Sequence, residues 1–250
     1  MTETIERVDD QAGDVRSVSS WVALCRWAGF AVALWAVALQ LMAGQFIPPV
    51  AGIGLVLGGF AIFLTGERRR LAVVFAGLAL VALLGNLPGT IDELSNPTSA
   101  PAFILTLLVS LAALVGIVGG IAAFFRWPTD SVRAVAITAG ALFALGAIVS
   151  FVAAASVDSD VPLASDVEVR AEGIEFLPEN ITVASGDVGV WVDNKDGIRH
   201  TFSITELAVD LVIPGLKAQR VDFEAEPGEY KIFCTVPGHE DMTARLIVEG

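Results

Sequence analysis

Two patterns of apolar and polar positions divide the chain. From about residue 20 to 155, long runs of Ala, Val, Leu, Ile, Gly and Phe carry almost no charge; after 156, short stretches alternate apolar and polar positions between turn residues. A helix crossing the roughly 30 Å apolar core of a bilayer needs about 20 mostly apolar residues. Five stretches meet or approach that length: about 22–43, 48–66, 71–87, 101–125 and 132–155, the third being the shortest. The breaks between them are marked by Pro48 and Pro49, by "GERRR" at 66–70, by "NLPGTIDELSNPTSAP" at 86–101 and by "RWPTDSVR" at 126–133. The first stretch is too long and too far from the terminus to read as a cleaved signal peptide.

From 166 onward the period is two: "VEVRAE", "IEFLPENITVASGD", "VGVWVDN", "IRHTFSI", "AQRVDFEA", "EYKIFC" and "ARLIVEG". Turn residues punctuate them at Pro178 to Asn180, Gly186-Asp187, Asn194 to Gly197, Pro214-Gly215 and Pro227-Gly228. Seven or eight short strands in about 90 residues predict an antiparallel β-sandwich with one core. The expected organisation is a tail at 1–20, a five-helix transmembrane region at 21–155, a linker at 156–165 and an all-β domain at 166–250.

Composition sharpens this division. The chain is 54% hydrophobic with a mean hydropathy of +0.69 and a net charge of −13. Residues 1–155 carry 8 Arg against 9 acids, whereas residues 156–250 carry 7 basic against 19 acidic residues. Basic residues resist translocation. Arg7, Arg16 and Arg26, then Arg68, Arg69 and Arg70, then Arg126 and Arg133 fall on alternate loops, and the other two loops hold no Lys or Arg. This predicts a multi-pass protein of the cell membrane with a cytoplasmic N-terminus and an extracytoplasmic β domain.

The span interiors hold no Asp, Glu, Lys or His. Such residues mark ion paths and cofactor ligands in membranes, so anchoring or docking is expected here rather than transport. Arg26 can extend its head to the interface, and Gln40 and Asn86 lie near outer ends. Gly54/Gly58 and Gly116/Gly120 have the small-xxx-small spacing that lets helices approach. Cys25 reads as apolar packing.

The candidate chemistry lies in "YKIFCTVPGHEDMTARLIV", residues 230–248. His200 and His239 are the two histidines of the chain, and Cys234 is the one cysteine outside the apolar stretches. Cys234 therefore has no partner for a disulfide within the domain. Two imidazoles, a thiolate and a thioether from Met242 form the donor set of a blue-copper site, a His₂Cys plane with a long axial Met. Thiolate and imidazole together suit both Cu(I) and Cu(II).

Residues 166–250 resemble the cupredoxins, the plastocyanin, azurin and amicyanin group, through "FLPENITVASGDVGVWVDNKDGIRHTF" and "FCTVPGHEDM". The first resembles the family's run up to its upstream copper histidine; the second resembles its C-terminal ligand loop. The spacing from Cys234 to His239 is similar to azurin's, and that from His239 to Met242 is more like amicyanin's. The resemblance implies a Greek-key sandwich and one type 1 copper held by His200, Cys234, His239 and Met242. It also implies an approach to the metal by the Arg199 carbonyl. Thr201 and Thr235 are candidate hydrogen-bond donors around the ligands, and Trp191 and Phe202 are expected in the core.

A site closed by four protein ligands predicts a carrier of single electrons rather than an enzyme, since metal catalysis needs an open position. The chain has no spare histidines for a catalytic copper, and Gly238 stands where a dinuclear site would place its second cysteine. The acidic domain, with Asp196, Glu240 and Asp241 near the expected copper end, predicts a basic redox partner such as a c-type cytochrome, or a membrane oxidoreductase. No nucleic-acid partner is expected. The alternative is a copper-binding, delivery or assembly module without electron cycling, although the Met-rich or His-rich tracts usual in copper carriers are missing.

Overall fold

The structure is a computed structural model that describes residues 2–43 and 46–250, with side chains described from residue 18 onward except residue 43. The basic positions Arg7 and Arg16 of the expected tail lie outside the residues whose side chains are described.

Among the described residues six helices precede the strands: α1 (Thr2–Ala43), α2 (Pro48–Phe63), α3 (Arg69–Gly85), α4 (Leu87–Leu94), α5 (Ala100–Phe125) and α6 (Asp130–Ala155). Each of the five apolar stretches is thus a helix. Among the described residues three segments are long and apolar enough to cross a membrane: Val18–Met42 of α1, α5 and α6. Helices α3 and α4 meet at a bend of 67° and together qualify as one broken span; α2, at 16 residues, is shorter. Pro48 and Pro49 start α2, where the missing N–H groups cost nothing because first-turn donors have no helical acceptor. Helix α4 lies in a stretch read from sequence as a loop. Its end is tied by Ser95 Oγ donating to the Ile91 carbonyl and Asn96 Nδ2 to that of Asp92, both at 2.7 Å.

The chain divides into two compact units, one of residues 1–41, 46–87 and 105–146, the other of residues 42–45, 88–104 and 147–250. In the first, glycines mark the helix contacts. A β-carbon at Gly54 would collide with Ala36, one at Gly58 with Ala33, and one at Gly120 with the Ala72 carbonyl and Ala76. The two small-residue spacings therefore face neighbouring helices, Gly54 and Gly58 toward α1 and Gly120 toward α3. Trp21 is fully buried with its indole N–H donating to the Trp127 carbonyl at 3.0 Å. Cys25 is fully buried and its thiol reaches the Gly116 carbonyl at 3.4 Å, as expected of a packing residue.

The second unit holds nine strands: β1 (Val167–Glu172), β2 (Glu175–Leu177), β3 (Asn180–Ala184), β4 (Gly186–Asn194), β5 (His200–Ile204), β6 (Val209–Ile213), β7 (Ala218–Ala225), β8 (Gly228–Phe233) and β9 (Thr243–Glu249). One sheet runs β2-β1-β4-β7 and the other β3-β9-β8-β5-β6. The sandwich differs from the expected all-antiparallel form. Strand β1 runs parallel to β4, with Val169 opposite Val192, and β3 runs parallel to β9, with Ile181 opposite Leu246. At Pro178-Glu179 the chain leaves one sheet and enters the other. Proline cannot donate to a ladder, so it ends β2 there.

The core lies between the sheets and includes Phe176, Val190, Phe202, Ile204, Ile232 and Leu246. Phe176 and Phe202 meet edge to face at 5.8 Å. Phe202 is a core residue, as expected, but Trp191 is not. Side chains alternate across a strand, and Val190 and Val192 take the inner face of β4, so Trp191 points outward. There it is half-buried, with its indole N–H donating to the Asp160 carbonyl at 2.8 Å.

Candidate metal centre

His200 opens β5, Cys234 follows the last residue of β8, and His239 and Met242 lie in the short connection to β9. Three backbone hydrogen bonds fold this connection. The N–H of His239 donates to the Val236 carbonyl (3.0 Å), that of Met242 to the His239 carbonyl (2.9 Å), and that of Cys234 to the Met242 carbonyl (3.1 Å). Gly238 supplies a φ of +88°, a conformation that suits glycine because it has no β-carbon. The loop therefore turns back at once and presents Cys234 and His239 to His200 on the neighbouring strand β5 of the same sheet.

One ligand atom each from His200, Cys234 and His239 lie within 4.8 Å of one another, and all three residues are buried. Cys234 Sγ is 3.6 Å from His239 Nδ1 and 4.0 Å from His200 Nδ1, and the two imidazole centroids are 4.9 Å apart. Atoms bound to one metal at about 2.0–2.3 Å are separated by roughly 3.5–4 Å, so the donor set fits a single ion. Met242 is 1% exposed and belongs to the same buried cluster as Cys234.

Hydrogen bonds fix the orientation of His200 and Cys234. His200 Nε2 lies 2.9 Å from Asp196 Oδ2. With that nitrogen donating to the carboxylate, the neutral ring has its Nδ1 lone pair facing Cys234, the arrangement by which outer partners set a ligand's tautomer, whereas the imidazolium of the metal-free site donates from Nδ1 to the sulfur as well. Asp196 is itself held by the N–H groups of Gly173 (2.9 Å) and Ile174 (3.2 Å). The sulfur receives the Thr201 N–H at 3.4 Å, with Thr201 Oγ1 at 3.9 Å. Thr201 Oγ1 in turn accepts the Thr235 N–H at 2.8 Å and contacts Thr235 Oγ1 at 3.0 Å.

The electrostatics follow from this packing. Burial pushes the Cys234 thiol upward, but hydrogen bonds from His200, His239 and the backbone N–H groups of Thr201 and Val236 outweigh it and bring the pKa down to about 5. The thiolate is the form that binds metal. Burial disfavours the His200 imidazolium, yet hydrogen bonds to Asp196 and Cys234 raise its pKa above the ordinary value. Asp196 is lowered: burial opposes its charge, and the His200, Gly173 and Ile174 hydrogen bonds prevail.

The structure thus brings together His200, Cys234, His239 and Met242, with Thr201 against the sulfur and Thr235 bonded to Thr201 rather than to a ligand. One expectation is corrected. Asp196 is only 8% exposed and hydrogen-bonds His200, so it is no surface charge for a partner; Glu240 and Asp241 are exposed. The role of Asp196 had a sequence signal in its position four residues before His200. Asn194 had none. Its buried amide reaches the carbonyls of Ile198 (2.8 Å), Ile213 (3.1 Å) and Pro214 (3.1 Å), pinning the loop that leads into His200.

Residues 141–248 match the family model described as a cupredoxin-like domain. The C-terminal domain is cupredoxin-like. Solved structures similar to the chain include a reduced amicyanin variant at 19% identity, covering 35% of this chain and 86% of that one with a TM-score of 0.31. An oxidised amicyanin variant at 18% identity covers 37% and 90% with a TM-score of 0.32. The metal-binding domain of the Cu(I)-exporting P-type ATPase CopA from Streptococcus pneumoniae, with Cu(I), is 14% identical and covers 38% and 95% with a TM-score of 0.31. No curated protein matches the chain. Copper is the cofactor of a cupredoxin-like domain, and the buried thiolate–imidazole set described above fits it.

Proposed function

We propose that the protein is a membrane-anchored type 1 copper protein that carries single electrons on the outer face of the cell membrane. His200, Cys234 and His239 are the equatorial ligands and Met242 the axial one. The observation that carries this reading is the buried convergence of His200 Nδ1, Cys234 Sγ and His239 Nδ1 in a cupredoxin-like domain. A rigid set of mixed soft and nitrogen donors holds both copper oxidation states with little rearrangement, which is what one-electron exchange asks of a site. Asp196 holds the His200 ring, the Thr201 N–H and hydroxyl hold the sulfur, and the packed core excludes water from the ligands.

The protein spans the membrane five times, through residues 22–43, 48–66, 71–87, 101–125 and 132–155, with residues 1–20 cytoplasmic and 166–250 outside beyond a linker at 156–165. The Arg bias on alternate loops supports this orientation. The partner is a redox protein with a basic surface, such as a c-type cytochrome, or a membrane oxidoreductase. Glu240 and Asp241, exposed in the loop directly after His239, supply complementary charge.

The test is the visible absorption and EPR spectrum of the full chain, purified in mild detergent and given Cu(II), beside Cys234→Ser. An intense thiolate-to-copper band with narrow hyperfine splitting, absent in the variant and bleached and restored by reductant and oxidant, is expected. Copper bound without that band, or a blue site that does not cycle, would instead assign the domain to copper binding or delivery.

A further inference from the structure

The segment that links α3 to α5 touches the metal end of the domain. Within the unit of residues 42–45, 88–104 and 147–250, Asp92 of α4 forms an ion pair with the guanidinium of Arg199, whose side chain is 8% exposed. Arg199 is the residue before His200. Ser99 Oγ accepts the N–H of Gly215 at 2.9 Å, beside the Ile213 and Pro214 carbonyls that Asn194 holds. Gly197 lies against Met42 and Pro101. Glu93 stands within electrostatic reach of Arg199, His200 and His239. The segment is therefore seated where the chain enters β5.

We propose that Asp92 is a positioning residue of the copper centre: its carboxylate anchors the residue preceding the first histidine ligand and compensates a buried positive charge there, favouring the oxidised metal. This rests on the ligand reading given above. Without Asp92 the buried Arg199 guanidinium loses its ion-pair partner and keeps only the longer-range pull of Glu93, so its charge is poorly compensated in surroundings that screen poorly. Cu(II) carries one more positive charge than Cu(I), so an unpaired Arg199 penalises the oxidised form more. The same pair also fixes the backbone from which the His200 ring projects. The reduction potential is then a property of the whole chain, because the segment between two apolar helices is part of the centre.

The experiment is a spectroelectrochemical titration of the full chain in mild detergent, loaded with Cu(II), for the parent, Asp92→Asn and the doubly neutral Asp92→Asn/Arg199→Gln. Asp92→Asn is expected to move the Cu(II)/Cu(I) equilibrium about tenfold toward Cu(I), an upward shift of about 59 mV for one electron. The double variant, which leaves no unpaired charge, is expected to return most of the way to the parent value. Amide exchange of the metal-free proteins provides an independent readout: both variants are expected to lose protection at residues 197–201, and Asp92→Glu to retain it. If the single variant does not accumulate, this comparison of the double variant with Asp92→Glu decides. A parent that shows the thiolate band, with unchanged potential and unchanged protection in the variants, overturns the proposal and leaves the ligand reading standing. A parent without the band overturns both.

Discussion

The helical unit and the β domain store their structural information in opposite ways. The apolar helices are hydrophobic around most of their circumference, so no stripe marks the face that meets a neighbour. What fixes the contacts is the lack of a side chain: Gly54, Gly58 and Gly120 sit where another helix comes too close for a β-carbon. In the β domain, alternation separates inside from outside along strands such as β4 and β9, while β5, which carries His200, is buried along its whole length. There a few polar atoms, each with a named partner, converge on one site. The first region specifies proximity through absence, and the second specifies chemistry through presence.

Substitutions can separate the two. The largest effect is expected from Cys234→Ser, which abolishes the thiolate-to-copper band while leaving the helical unit's thermal unfolding unchanged. Asp196→Asn removes the charge that sets the His200 tautomer. Copper affinity is expected to fall about tenfold or more, the usual consequence of losing a ligand's hydrogen-bond partner, as measured by competition with a chelator. Gly120→Leu is the counterpart in the helices. It forces a side chain against the Ala72 carbonyl and is expected to cost about 1–3 kcal/mol of helical stability, read by detergent-phase unfolding, with the copper spectrum unchanged.

Protonation gives a further test in the metal-free protein. The Cys234 thiol titrates at about 5 in the fold against an ordinary value of 9.0. A group whose pKa is depressed by folding stabilises the native state fully above its unfolded value and ceases to do so as pH falls through its folded value. The difference in unfolding midpoint between the parent and Cys234→Ser is therefore expected to grow from pH 5 to pH 9. A pH-independent difference would show that the thiolate is not held by its neighbours. The smallest effect belongs to the surface: Glu240→Gln with Asp241→Asn is expected to slow electron exchange with a basic cytochrome a few-fold at low salt and not at high salt, because exposed charges are screened.

Much of this was legible in the sequence, for identifiable reasons. Hydropathy located five helices because their runs are continuously apolar, and alternation located most of the strands, although β6 (Val209–Ile213) fell outside the runs it marked. The metal cluster was legible because soft donors are scarce in this chain and fall together. Helix α4 was not: its eight residues include Pro88 and Gly89 and read as a break. Nor were the parallel pairings of β1 with β4 and of β3 with β9, since register between distant strands leaves no local mark. Trp191 was misplaced because aromatic character suggested the core, whereas period two with Val190 and Val192 puts it outside. Asp92 and Arg199 are 107 positions apart and could not have been joined by any local rule.

Three of the four proposed ligands, Cys234, His239 and Met242, precede β9 by a few residues, and β9 pairs with β3 on one side and β8 on the other. The ligand loop is therefore closed only when the last strand zips into its sheet. Metal capture is thereby coupled to completion of the fold: a chain that has not yet added β9 to its sheet holds Cys234 as a bare thiol rather than as part of a closed site.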